Sequence, residues 1–187
     1  MLDRVHRKLP PREFDVVVSE NTLEHVMDVP GLLAEVRRRL KPGGKVYIGF
    51  GPLYHAPDGD HGWLREMLPG WPRIIWPWGH LMLRSYALKK LSRMHGREYH
   101  APRDWMHLDL NQHTIDDYRR MFEESGLTIV DLRTNYVTSF KGKLIARAAR
   151  IPGLEKYCTL NLNVILAKLL TDSDGRTALR GQVHRTR

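Results

Sequence analysis

The sequence predicts an α/β fold built on a parallel sheet. An apolar, β-branched run, Phe14-Asp-Val-Val-Val-Ser19, comes first; a helical stripe follows, and then a second apolar run from Lys45 to Phe50. Strand, helix and strand joined by short connections form a crossover unit, which is right-handed and places its two strands parallel in one sheet.

Each element has its own warrant. Phe14 to Ser19 does not alternate, so it reads as a strand buried on both faces. Asp28 is a candidate N-cap, Pro30 suits a first helical turn, and Leu33, Val36 and Leu40 form one apolar stripe. Lys41-Pro42-Gly43-Gly44 ends that helix, because proline disfavours helix at the preceding residue and glycine accepts positive φ.

From residue 51 to 110 the pattern loosens. This region holds all five tryptophans, Trp63, Trp71, Trp76, Trp78 and Trp105, and one amphipathic helix is expected from Met82 to Met94, with Leu83, Ala87, Leu88 and Leu91 on a shared face. It reads as an insertion or lid beyond the second strand, where function tends to sit, or equally as a satellite core built on the tryptophans. Regular structure resumes at Thr114-Ile-Asp-Asp117, which has the spacing of a capping box with aspartate in the glutamate position. Ile115, Tyr118, Met121 and Phe122 give the helix its stripe, and Gly126 suits the C′ position. A strand is expected over 127–137 and a short helix over 143–150. Leu160, Leu162, Val164 and Leu166 alternate with Asn161, Asn163 and Ile165, the pattern of a half-exposed, antiparallel last strand. Residues 171–187 are polar without period and read as a flexible tail.

Composition sets the limits. At 42% hydrophobic and 27% charged residues the chain is ordinary for a globular protein. Its single cysteine, Cys158, excludes an internal disulfide framework and suits a reducing compartment such as the cytoplasm. The longest apolar stretch, Ile74 to Leu83, is interrupted by Pro77 and His80 and falls short of the roughly 20 residues that span a bilayer. The net charge of +9 is spread along the chain with no nucleic-acid motif, so nucleic acid is not the expected partner. Among the ten histidines, His55 and His61 are six apart and so are His107 and His113, and neither pair has a Cys, Asp or Glu cluster at ligand spacing, so no metal is expected.

Phe14-Asp-Val-Val-Val-Ser-Glu-Asn-Thr-Leu-Glu-His-Val26 followed by Leu33-Ala-Glu-Val-Arg-Arg-Arg-Leu-Lys-Pro-Gly-Gly44 resembles the middle of a class I S-adenosylmethionine-dependent methyltransferase, in the broad type 11 subgroup that includes ubiquinone and menaquinone methyltransferases. The resemblance runs over residues 9–170 and is loose over 51–110. It implies a partial Rossmann-like sheet, strands four to seven with the last antiparallel, with flanking helices and a helical insertion. Residues 1–170 would be the C-terminal portion of that domain. Only 13 residues precede Phe14, too few for the family's first strand and its glycine-rich cofactor loop, so the resemblance implies a truncated domain. Leu9 to Asp15 resembles the family's link into strand four. On that reading the chain alone should bind little or no S-adenosylmethionine.

Ligands of doubly wound sheets sit beyond the C-terminal strand ends. The resemblance therefore assigns Ser19, Glu20 and Asn21 to the methionine part of S-adenosylmethionine; the same residues would also serve as turn caps. Methyl transfer asks for alignment and, for some nucleophiles, a base. His25 and His61 are the candidate bases, with loop-fixing and solvated-loop roles as their plain alternatives. The tryptophans suggest a small, hydrophobic or lipid-like acceptor. Lys89, Lys90, Arg93 and Arg97 beside an apolar face suit peripheral contact with a membrane surface. The competing expectation is a non-catalytic, methyltransferase-like module whose strand-four edge pairs with another chain.

Overall fold

The computed structural model describes residues 14–61, 78–98, 110–135, 137–171 and 177–178. The elements that position the site are β1 (Phe14–Glu20), α1 (Val29–Arg39), β2 (Leu40–Phe50), α2 (Gly79–Met82), α3 (Arg84–His95), α4 (Ile115–Glu124), β3 (Thr128–Thr134), α5 (Phe140–Ala148), α6 (Glu155–Cys158) and β4 (Leu162–Ala167). Four strands form one sheet in the order β1-β2-β4-β3. β1 and β2 are parallel, and β4 runs antiparallel to both β2 and β3. The sheet is therefore the mixed α/β arrangement expected from the sequence, with its late antiparallel strand inserted between β2 and β3.

The caps explain where the helices start. Asp28 accepts the Gly31 N–H at 2.9 Å and Pro30 sits in the first turn of α1. At α4, Thr114 and Asp117 exchange hydrogen bonds in a complete capping box, aspartate reaching as glutamate would. Gly126, at φ +71°, turns the chain out of α4 where a side chain would also strike the Arg37 guanidinium.

The core lies on one face of the sheet. Val46, Ile48 and Phe50 of β2 and Leu162, Val164 and Leu166 of β4 pack against Leu33 of α1 and Ile115, Tyr118, Met121 and Phe122 of α4. Fully burying each large side chain contributes roughly 1.5–3 kcal/mol.

Several expectations are corrected. β1 is not buried on both faces: Val16 is 60% and Val18 62% exposed, because β1 is the sheet edge and no described helix covers that side. β2 begins at Leu40 rather than Lys45. The Lys-Pro-Gly-Gly segment is taken into the strand as an irregularity, with Gly43 at φ +77° and its N–H donated to the Lys168 carbonyl at 2.8 Å. The insertion helix is broken at Leu83 into α2 and α3. Leu83 and Leu88 are half-buried, while the side chains of Ala87 and Leu91 lie outside the described residues. α5 starts at Phe140, capped by Ser139, earlier than the expected 143. Leu170–Thr171 and Thr177–Ala178 pair as a small ribbon at the start of the expected tail. Trp63, Trp71, Trp76 and Trp105, Leu9 to Glu13 and the rest of the tail lie outside the described residues. Among the described residues no helix is long and apolar enough to cross a membrane.

Candidate functional site

The parallel strands deliver Glu20 and Asn21 to the C-terminal rim of the sheet, where a cavity of about 540 Å³ opens. Glu20, Asn21, Tyr47 and Gly49 line one side, and Asp58, Asn161 and Asn163 contribute from the loop after β2 and from the start of β4. Because β4 runs antiparallel, its N-terminal end lies at the same rim as the C-terminal ends of β1 and β2. Alternation then sets the face. Val18, Glu20, Tyr47, Gly49 and Asn163 share the open face, whereas Val17, Ile48 and Phe50 are on the helix-covered one.

Each residue singled out in the sequence can now be placed. Glu20 and Asn21 line the cavity; Ser19 pairs with Ile48 on the covered face and is not among the lining residues. Asn21 holds φ +47° and donates its N–H to the Gly49 carbonyl at 2.8 Å, which extends the strand pairing to the rim. His25 and His61 come together, ring centroids 5.5 Å apart in an edge-to-face arrangement. His61 Nε2 lies 3.0 Å from the Pro52 carbonyl, and Pro52 lines the cavity. A carbonyl only accepts, so Nε2 carries the proton and Nδ1 is left as the proton-accepting nitrogen of the neutral ring.

Electrostatics distinguishes this cavity from the rest of the chain. In a sequence of net charge +9, the described lining residues include two carboxylates, Glu20 and Asp58, with no Lys, Arg or His among them. The carboxamides of Asn21, Asn161 and Asn163 and the Tyr47 hydroxyl add neutral hydrogen-bonding groups. Tyr47 donates to Asn163 Oδ1 at 2.9 Å, across the space above Gly49. A Cβ on Gly49 would stand 2.8 Å from that same oxygen, so glycine is what lets the two side chains meet.

The sequence missed several of these residues. Asn161 and Asn163 had appeared only as the polar half of an alternating strand; their role depends on the direction in which that strand runs. Asp58 carries no pattern at all. Asn111 was also missed: it is buried, and its side-chain amide donates to the Leu23 and Val26 carbonyls at 2.7 and 2.9 Å. Away from the cavity, His80 is buried with Nε2 against the Tyr54 carbonyl, and burial lowers its pKa from the usual 6.5. Among the described residues no group of three or more His, Cys, Asp or Glu is arranged to hold a metal.

Comparison with known proteins agrees with the local architecture. The family described as "Methyltransferase domain" matches residues 3–48. Over 46 residues the chain is 41% identical to phosphoethanolamine N-methyltransferase 3 of Arabidopsis thaliana, a stretch amounting to 25% of this chain and 9% of that enzyme. Solved structures similar to it include geranyl diphosphate C-methyltransferase of Streptomyces coelicolor A3(2), at 16% identity and TM-score 0.43, covering 87% of this chain and 51% of that one. Another is an S-adenosylmethionine-dependent methyltransferase of Mesorhizobium loti, at 21% identity and TM-score 0.44, covering 85% and 63%. The chain thus spans less than two thirds of the length of each of these relatives. Its first β-α-β unit is the part of the chain that is similar to the methyltransferase domain family, matched over residues 3–48.

Proposed function

We propose that the chain serves S-adenosylmethionine-dependent methyl transfer to a small, hydrophobic acceptor, and that the cavity beyond β1 and β2 takes the methionine end of the cofactor. The observation that carries this reading is the acidic lining of the cavity in a basic chain. The methionine end bears a sulfonium, an ammonium and a carboxylate, so its net charge is positive. Two carboxylates at a partly enclosed rim attract both cationic groups, since Coulomb energies there exceed their values in bulk water several-fold. The neutral carboxamides of Asn21 and Asn161 suit the remaining polar atoms.

S-adenosylmethionine supplies an activated methyl group. The chain's own residues would orient it, exclude water and handle one proton. On in-line transfer of that methyl group to the acceptor, the electron pair of the broken bond would stay on the departing sulfur. An acceptor oxygen or nitrogen loses its proton to His61 Nδ1 or to His25 beside it. Ser19, although on the adjoining strand position, supports β1 rather than the ligand in this scheme. Gly43-Gly44 lies at the N-terminal end of β2, away from the cavity, and takes no part in cofactor binding.

Titration of the ¹⁵N-labelled chain tests the reading. Binding by the chain alone is expected to be weak, so S-adenosylmethionine is raised to millimolar concentration, where it should shift the signals of Asn21, Asn161 and Asn163; S-adenosylhomocysteine, lacking the sulfonium charge, should shift them less. Equal responses, or none, would refute it. A second reading is favoured by the exposed Val16 and Val18 on the edge strand β1: a non-catalytic module that pairs along that edge with another chain. Sedimentation of the chain as a monomer at every concentration, together with a cofactor response, would eliminate it.

A further inference from the structure

The chain leaves β1 through a turn, Asn21 to Val26, whose carbonyls must find donors outside the sheet. Three successive demands are met by one residue from far along the sequence. Asn111 Nδ2 donates to the Leu23 carbonyl at 2.7 Å and to the Val26 carbonyl at 2.9 Å, and the Asn111 backbone N–H donates to the Glu24 carbonyl at 2.8 Å. Carbonyl oxygens only accept, so the amide NH₂ must face the turn, and the orientation of the side chain is settled. Its Oδ1 then accepts from the Tyr118 hydroxyl at 2.8 Å and from the His113 N–H at 3.3 Å.

The anchor behind this clamp is rigid. Tyr118 is fully buried on α4, with its ring 4.8 Å from Phe50 in the core. Burial pushes its phenol well above the usual range, which keeps the hydroxyl protonated and donating. A continuous path therefore runs from the core through Tyr118 and Asn111 to the turn that carries His25. His25 itself is exposed, and it lies between the two carbonyls that the Asn111 amide holds. An apolar residue of similar volume would fill the Asn111 site but remove the side-chain donor from both carbonyls, leaving Leu23 only the Val26 N–H at 3.2 Å and loosening the turn.

We infer that Asn111 is a positioning residue: by clamping the Leu23–Val26 turn it sets the His25 ring against His61, which sits beside Pro52 of the cavity lining. This rests on the proposed function only for what the two histidines do once placed. The geometry is testable without it.

In the full chain, nuclear Overhauser contacts between the His25 and His61 rings, assigned with His25→Gln and His61→Gln, report the pair. In Asn111→Asp, which keeps the acceptor but replaces both donors, that contact should fall at least fivefold while the Phe50–Tyr118 ring contact persists. Tyr118→Phe, which removes one hydroxyl, should reduce it less than twofold. An undiminished His25–His61 contact in Asn111→Asp overturns the inference, because the residue would then be stabilising only. If that variant does not fold, exchange of the Asn111 side-chain amide protons in the unaltered chain decides the matter. Slow exchange supports the clamp, and exchange at the rate of a free amide overturns it. Addition of S-adenosylmethionine separates the two ideas: a shift of both histidine signals supports the proposed function, and silence refutes that function while the clamp stands or falls on the ring contact alone.

Discussion

The two faces of the sheet are made by the same strands, yet they obey different rules. On the covered face Val46, Ile48 and Phe50 are at most 3% exposed beneath α1 and α4. On the other, Val16 and Val18 are 60% and 62% exposed, and Tyr47, Asn163 and Ile165 are half-buried. Stability is concentrated on the first face and the candidate chemistry opens from the second. Tyr47, Gly49 and Asn163 stand one residue away in sequence from core positions, so a register slip of one residue would exchange site and core. The lesson is that the cavity depends on register as much as on residue type.

The sharpest way to break the comparison is to empty the covered face. Phe122 is fully buried in α4 and stacks its ring against Tyr118, centroids 6.2 Å apart. Phe122→Ala should cost about 3–5 kcal/mol, combining lost burial with the cavity left behind. Denaturant unfolding measures this, and a loss below about 1 kcal/mol would mean that the two faces share the stability more evenly than their burial indicates.

How much of this could be read from sequence follows from the range of each interaction. Asp28 at the start of α1, Thr114 and Asp117 at α4 and the stripe Ile115, Tyr118, Met121 and Phe122 were legible because caps and helical stripes are local. Glu20 and Asn21 were legible as rim residues because they end and follow a strand, whereas Ser19, read with them, lies on the covered face. The exposure of Val16 and Val18 was not, since an apolar run reports affinity for a core and not which face finds one. The Asn111 clamp was also hidden, spanning 88 residues to Leu23 with no motif at either end. Asn163 was seen as polar, but its place above Gly49 is set by the antiparallel pairing of β4 with β2.

A smaller effect sharpens the comparison by testing how α4 is held over the covered face. Thr114→Ala removes the side-chain half of the capping box and should cost about 1 kcal/mol. Its partner gives a pH signature. Asp117 is held below its usual 3.8, mainly by the Thr114 backbone N–H. The folded carboxyl therefore binds its proton at lower pH than the unfolded one. Its stabilisation is complete above about 3.8 and is lost as pH falls through the folded value. Asp117→Asn should flatten the acid limb of the stability profile in that window, and an unchanged limb would show that the box is not titrating there.

The smallest change in stability belongs to the open face, where it tests the edge rather than the core. Val18 is 62% exposed on a strand that, among the described residues, is paired on one side only, so Val18→Lys removes little burial. The folding free energy should move by no more than about 0.5 kcal/mol. What lysine does remove is the apolar, pairable edge, since a charge there opposes addition of another strand. If β1 pairs with a second chain, sedimentation should show that association weakened at unchanged stability. If unfolding shifts instead by more than about 1 kcal/mol, the Val18 side chain is supported by packing on the open face, and the contrast between the two faces is weaker than their exposures make it.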